Sequence, residues 1–495
     1  MGDCFVTEDA VARAPCLRCI AERLQRNGTS VVGELDVCEA DDGPLAAALA
    51  DETGGEVPVR PLALSRDDGV SRHLALPVPG CAACAASQHR PAIGQEALGA
   101  GPLLDPLLGL VHIDDIWQSG ESGRLCAGAT ASLSVPLDEP ALRVASQAVS
   151  VEQALAGLIG EAVERYAALC DGGSDLIYAT HRALAPRVPP LAALSDFSEQ
   201  QLAETGWQRL GSETRMAFVA GERLADGQKL FVPAHSVLLT RRRELPEPVF
   251  GRLCSTGLAA GPSRDAALSA AAREVLERYR LTVGWHRGVL GRRLSLEVLP
   301  QEGRELVARL EAAGIELLLM LQTERDDVPV VLAAALAPAY PFVALGSACR
   351  LSLGGAALHA ALEAAFAWDT LSAIPPEARE RPLDGTSEAI AHPLYYAARP
   401  ERAAELSDAI RRTPAMPPFD PKEPPHQRIF DELVDVAPDA AVVDITPPDC
   451  AWCGYTVVRV VAPGLPLFGF GAASAPRAAL ARFKLEDCGR PHPFP

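Results

Sequence analysis

The sequence predicts a mixed α/β (α+β) fold with internal pseudo-repeats, and three observations carry that expectation. Short apolar runs of strand character, such as 328–336 (VPVVLAAAL), alternate with longer amphipathic segments. Two of those segments repeat one pattern. Residues 150–166 (SVEQALAGLIGEAVERY) and 263–279 (SRDAALSAAAREVLERY) carry Ser, Ala-Leu, Glu and Glu-Arg-Tyr at the same offsets. A weaker third copy begins at Ser352; it keeps Ala356 and Glu363 and puts Phe366 where the second carboxylate would stand.

At 495 residues, with 48% hydrophobic and 22% charged residues, the chain is long enough for two or three domains with sizeable cores. A net charge of −19 argues against a sequence-independent nucleic-acid partner, which needs a basic stripe, and against docking on an anionic membrane. No apolar run reaches the length of a membrane span, and MGDCFVTEDA lacks the basic and apolar regions of a signal peptide. The 13 dispersed cysteines then read as reduced thiols in the cytoplasm, some of them holding metal.

Taken in order, residues 1–98 form a first module and residues 99–495 a second. The first holds Cys16-Leu-Arg-Cys19 and Cys81-Ala-Ala-Cys84, two pairs able to close a tetrahedral thiolate site for structural Zn²⁺. PCLRC opens a helical run (IAERLQR), and PVPGCAAC follows a short strand-like LALPV. Beyond residue 100, residues 129–137 read as a strand ahead of the first repeat helix. Polar helix (SDFSEQQLAE) and short strands (LFVPAHSVLL) fill 195–250. The small-residue stretch 255–261 (STGLAAG) is a turn feeding the second helix. Runs 315–323 and 328–336 are buried strands, and 341–350 is a strand and turn before the third helix. Residues 414–425, rich in proline, form an exposed loop over the site; AAVVDI and YTVVRVV are core strands. Cys450-Ala-Trp-Cys453, with no second pair near it, reads as incidental.

On a helix, Glu161 with Glu164, and Glu274 with Glu277, are i,i+3 neighbours on one face. Two such pairs brought together repel unless cations lie between them. Mg²⁺ suits that place, since it takes oxygen ligands and reaches proteins through carboxylates and substrate phosphates.

Several stretches resemble the YcaO superfamily of ATP-using peptide-modifying enzymes. They are GEAVERY (160–166), STGLAAG (255–261), REVLERY (273–279), GSACRLSLGGAALHAALEAA (346–365), VVDIT (442–446), GYTVVRVVAPGL (454–465) and PHPFP (491–495). The resemblance runs from about residue 100 to the end, in the family's order. It implies an ATP- and Mg²⁺-dependent cyclodehydratase that converts Cys, Ser or Thr of a ribosomally made precursor peptide to thiazolines or oxazolines. Matched by motif, Glu161, Glu164, Glu274 and Glu277 hold Mg²⁺ against the phosphates, and Glu363 is a further metal or nucleotide contact. Pro491, Pro493 and Pro495 match the family's P-x-P-x-P ending, a stiff extended tail that supports catalysis. The first module resembles the end of the E1-like zinc-bearing domain that accompanies azole-forming members; no G-x-G-x-x-G follows a strand there, so adenylation is not expected.

Four departures from the family pattern stand out: Pro262, His359, Thr256 and the stretch 145–148, with Arg350 as a substitute cation. They motivate an alternative, a degenerate scaffold of a synthetase complex; a thioamide-forming member is another, disfavoured by PHPFP. The expected partners are the precursor peptide, a separate E1-like or leader-recognition protein and a flavin-dependent azoline dehydrogenase, and a homodimer is compatible with the sequence.

Overall fold

The computed structural model describes residues 17–27, 60–66, 69–76, 78–79, 99–106, 108–135, 142–170, 176–240, 247–251, 253–324, 327–380, 390–417, 422–469 and 475–494. Among these, helix α1 (Leu17–Arg26) and the hairpin β1 (Arg60–Arg66) and β2 (Gly69–Ala75) precede three antiparallel sheets. The first is β3 (Val111–Trp117), β4 (Ala127–Leu133) and β5 (Leu142–Ala148) in that order. The second contains β6 (Ile177–Thr180), β7 (Arg215–Arg223), β8 (Lys229–Pro233) and β9 (Leu258–Gly261). The third runs β10 (Arg292–Leu294), β11 (Glu316–Leu321), β12 (Val330–Leu336), β13 (Val343–Cys349). Strands β14 (Ala441–Asp444) and β15 (Thr456–Val461) then return to the second sheet, giving the order β6-β7-β14-β15-β9 with β8 also on β7.

Three long helices organise these layers: α2 (Val151–Leu169), α3 (Arg264–Arg287) and, after the shorter α4 (Gln301–Ala312), α5 (Leu353–Ser372). Each follows a strand, β5, β9 or β13, through a turn closed by serine. Ser150, Ser263 and Ser352 take extended backbone and accept from the amides of Gln153, Ala266 and Gly355, which satisfies an otherwise orphan first-turn donor. Helix α2 covers β4 and β5, α5 covers β12 and β13, and α3 lies on β9 and β15 while reaching β13. The second repeat helix therefore sits where the sheets meet. Two glycines permit that closeness. A Cβ on Gly346 would stand 2.2 Å from the Ala364 nitrogen of α5, and one on Gly257, at φ +84°, 2.2 Å from the Val460 carbonyl.

The strands expected at 129–137, 315–323, 328–336 and 341–350, and near the end of the chain, correspond to β4, β11, β12, β13, β14 and β15. Two expectations change. The stretch 255–261 is a turn only as far as Gly257; Leu258–Gly261 is strand β9, paired with β15, and Ala259, Ala260 and Gly261 are small enough to fit under α3. LFVPAHSVLL leaves strand at Pro233 for a 3-10 turn. The proline-rich segment is largely exposed where described, and at its start Ala415 bridges Arg293 of β10, the edge of its sheet farthest from β13.

In the first module, Cys16, Cys81 and Cys84 lie outside the described residues, so the proposed zinc set is represented by Cys19 alone. Cys19 is buried, and its Sγ accepts from the Val78 amide at 3.2 Å. Helix α1 is tied to the later part of the chain by Arg23, whose Nη2 donates to Asp449 Oδ2 at 2.9 Å while its Nε donates to the Leu76 carbonyl at 2.8 Å. Tyr166 Oη, at the end of the first repeat, donates to the same Asp449 oxygen at 2.8 Å. Among the described residues, no helix is long and apolar enough to cross a membrane.

Candidate functional site

The five carboxylates singled out by the repeat converge from three helices. Glu164 of α2 lies close enough to Glu161 and to Glu274 of α3 for their charges, after burial, to push its pKa well above the usual carboxylate range. Glu274 is raised by burial first, with Glu277 adding to it. Burial and then Glu277 push Glu363 of α5 up to about 7. The repulsion runs as a chain from Glu161 through Glu164, Glu274 and Glu277 to Glu363.

Backbone groups orient three of them. Glu274 Oε2 accepts from the Gly257 amide at 2.9 Å, just before β9. Glu277 is tied on both oxygens, to Ser347 Oγ at 2.6 Å and the Cys349 amide at 2.8 Å. Glu363 Oε2 accepts from the Ser347 amide at 2.5 Å. On α2, Arg165 performs this task instead, donating from Nε to Glu161 at 2.8 Å and standing 3.4 Å from Glu164. Glu161, Glu274 and Glu363 each keep one oxygen, and Glu164 both, without a hydrogen bond among the described residues.

This donor set fits Mg²⁺. It is all oxygen, it is mutually repelled, and four members have an oxygen to give. No three of these carboxylates close to within 4.8 Å among the described residues, so an ion here needs ligands from phosphate or water as well.

Guanidinium groups surround the cleft. Arg278 approaches Glu274 at 3.9 Å. Arg350 acts electrostatically on both Glu363 and His359, the family departure, and Arg273 lies near Arg350 and Glu277. Burial and then Arg350 lower the His359 pKa, so the cation at that place is Arg350. Arg459 of β15 was not singled out from the sequence. It is 5% exposed, its charge reaches Glu164, and its Nε and Nη1 have no hydrogen-bond partner among the described residues. The available signal was an arginine inside a run of valines (VVRVV), a costly burial unless it meets an anion.

Pro491 and Pro493 belong to a buried tail, while Pro495 lies outside the described residues. Three side chains capture three successive tail carbonyls: Trp285 Nε1 donates to Arg490 at 3.3 Å, Tyr396 Oη to Pro491 at 2.6 Å and His392 Nδ1 to His492 at 3.2 Å. Prolines offer no amide for strand pairing, so side-chain donors take the place of a ladder. Phe494 is 1% exposed and stacks on Phe468 at 5.2 Å, and Arg278 covers the same Phe468 ring at 5.5 Å. The tail thus connects to the carboxylate cleft through one arginine. Cys450 and Cys453 are buried thiols with pKa values raised by burial, which suits the incidental reading.

A family model described as YcaO cyclodehydratase, ATP- and Mg²⁺-binding, matches residues 145–466, and the chain belongs to this family. A heterocyclase solved in complex with substrate and cofactor has a similar fold, with a TM-score of 0.67 and 16% identity, over 97% of this chain and 75% of that one. YcaO from Methanopyrus kandleri, bound with AMPPCP and Mg²⁺, gives a TM-score of 0.53 at 18% identity, over 77% of this chain and 90% of its own. The E. coli microcin synthetase McbBCD complex with pro-MccB17 bound gives 0.51 at 15% identity, over 71% of this chain and 87% of the matched one. No curated protein sequence matches the chain.

Proposed function

We propose that this protein is an ATP- and Mg²⁺-dependent cyclodehydratase that forms thiazolines or oxazolines at Cys, Ser or Thr of a ribosomally made precursor peptide. The observation that carries the reading is the convergence of Glu161, Glu164, Glu274, Glu277 and Glu363 beside buried guanidinium groups. A substrate thiol or hydroxyl adds to the preceding backbone carbonyl, and the resulting hemiorthoamide oxygen accepts the γ-phosphoryl group of ATP, releasing ADP. Loss of phosphate with the amide proton then leaves the ring C=N. Phosphate departs far more readily than water would, which is why the nucleotide is consumed.

Mg²⁺, when bound, would offset the charge of the phosphates. The carboxylates with open oxygens would hold it, and Glu277, oriented by Ser347 and Cys349, would complete the set. Arg273, Arg278, Arg350 and Arg459 meet the anionic phosphates. The seat of Phe494 on Phe468 holds the described end of the tail beside Arg278. The likeness to a synthetase complex holding pro-MccB17 supports a precursor peptide and separate partner proteins.

Calorimetric titration of ATP with Mg²⁺ into the protein tests the reading. Binding that Glu274→Ala abolishes is expected; no binding by the unaltered protein, with partners present, would sink it. Deleting Phe494 and Pro495 is expected to spare nucleotide binding and remove ring formation, and unchanged ring formation would strip the tail of its role.

A further inference from the structure

A cavity of about 410 Å³ opens between the last turn of α5, the α4–β11 turn at Gly314, the β12–β13 turn at Ala339 and Tyr340, and Leu125. It lies by the start of β13, whereas the carboxylates of the cleft meet Ser347 and Cys349 near that strand's end. It is therefore a separate place.

Asp369 lines this cavity and is 9% exposed. Its Oδ2 accepts from the Leu125 amide at 3.0 Å; among the described residues no other hydrogen bond and no ion pair reaches the carboxylate. The residue stands in the last turn of α5, where the negative end of the helix dipole opposes a carboxylate, and that turn has no basic residue. Burial accordingly pushes its pKa up to about 6. Three arginines are close, and each is engaged elsewhere. Arg124, whose charge acts on Asp369, stacks over Trp117 at 4.7 Å; Arg309 donates to the Leu125 carbonyl at 3.1 Å; Arg379 lies 3.5 Å over the Tyr340 ring. Trp368 and Tyr340 add aromatic surface to the lining, and Ile315 and Pro338 add apolar surface.

We propose that this cavity binds an ammonium or guanidinium group carried on a short apolar stem. A buried carboxylate at a helix C-terminus supplies two negative sources that a cation relieves together. Aromatic faces favour the same charge, and the apolar wall accommodates a stem. A neutral ligand leaves the charge uncompensated, and an anion adds to it. The group has two sources, a free small amine or the lysine or arginine side chain of a peptide.

The test titrates n-butylammonium and its neutral counterpart n-butanol against the full chain, read by saturation-transfer NMR. The ammonium is expected to bind about tenfold more tightly, the worth of one charge-assisted hydrogen bond. Asp369→Asn, which retains an oxygen for the Leu125 amide, is expected to erase that preference. Ala339→Trp, on the exposed turn, should block both probes and leave ATP binding unchanged. A hexapeptide with one central lysine, compared with its norleucine analogue, separates the sources. Tighter binding of the lysine peptide than of butylammonium assigns a peptide side chain, and binding of butylammonium alone assigns a small amine. Equal affinity for ammonium and alcohol, or a preference that survives Asp369→Asn, overturns the proposal. So does binding seen only after Arg124→Ala, which would make Arg124 the occupant.

Discussion

In α2, Arg165 folds back on its own helix to hold Glu161 and Glu164, and Tyr166 reaches away to the buried Asp449. In α3, the same residues at the same offsets are held by other elements. Gly257 fixes Glu274, β13 fixes Glu277, Arg278 spans Glu274 and Phe468, and Tyr279 packs on Phe483. One copy is self-contained on its cleft face and linked through Asp449 to Arg23 of α1. The other is keyed by sheet backbone on both sides. A repeated sequence sets the spacing of side chains along a helix; the neighbouring strands decide which of them can move.

The largest effect expected from this difference lies behind the first copy. Arg23, Asp449 and Tyr166 are all nearly fully buried, so Arg23→Met strands a carboxylate whose remaining partners are the Tyr166 hydroxyl and the Cys450 amide. A loss of about 3–5 kcal/mol is expected by denaturant unfolding, since a buried ion with its partner removed is costly. A change within about 0.5 kcal/mol would mean that α1 does not anchor α2 and that the two modules are independent.

A smaller contrast separates the glutamates themselves. Glu277→Ala leaves the Ser347 hydroxyl and Cys349 amide unpaired in the core, and a stability loss of about 2 kcal/mol is expected beside the loss of Mg²⁺–ATP binding. Glu161 is a third exposed and bound only to its own helix, so Glu161→Ala should weaken nucleotide binding with stability changed by no more than about 0.5 kcal/mol. If both variants lost stability equally, the distinction between the copies would fail.

The sequence made some of this legible and concealed the rest. Glu-x-x-Glu-Arg-Tyr announced itself because helix periodicity and carboxylate spacing are local, and the valine-rich and leucine-rich strands because burial on both faces leaves an apolar run. Strand β9 was hidden since Leu258, Ala259, Ala260 and Gly261 look like a flexible turn; the small size of Ala259, Ala260 and Gly261 is what lets α3 lie on them. The tail's proline spacing suggested a rod, but its seat depends on Trp285, Tyr396 and His392, which are remote in sequence. Arg459 belonged to the same class, a polar group whose meaning comes only from Glu164 across the cleft.

The smallest effect expected is one of pH, and it probes the junction between the copies. Glu164 and Glu274 face each other from α2 and α3 with raised pKa values, and Glu363 sits at about 7 against a usual 4.5. Because the folded-state value is raised, the ligand-free fold keeps a proton on Glu363 that the unfolded chain has released. Its contribution to stability is therefore present at low pH and is lost as pH rises from about 4.5 through 7. Mg²⁺–ATP needs the ionised form, so protons compete with it. The rise in Tm on adding Mg²⁺–ATP should be larger at about pH 8 than at about pH 6. Glu363→Gln should flatten that dependence. A Tm shift independent of pH in the unaltered protein would mean that the carboxylates are already ionised, and that strands β9 and β13 separate the copies more than their shared charge implies.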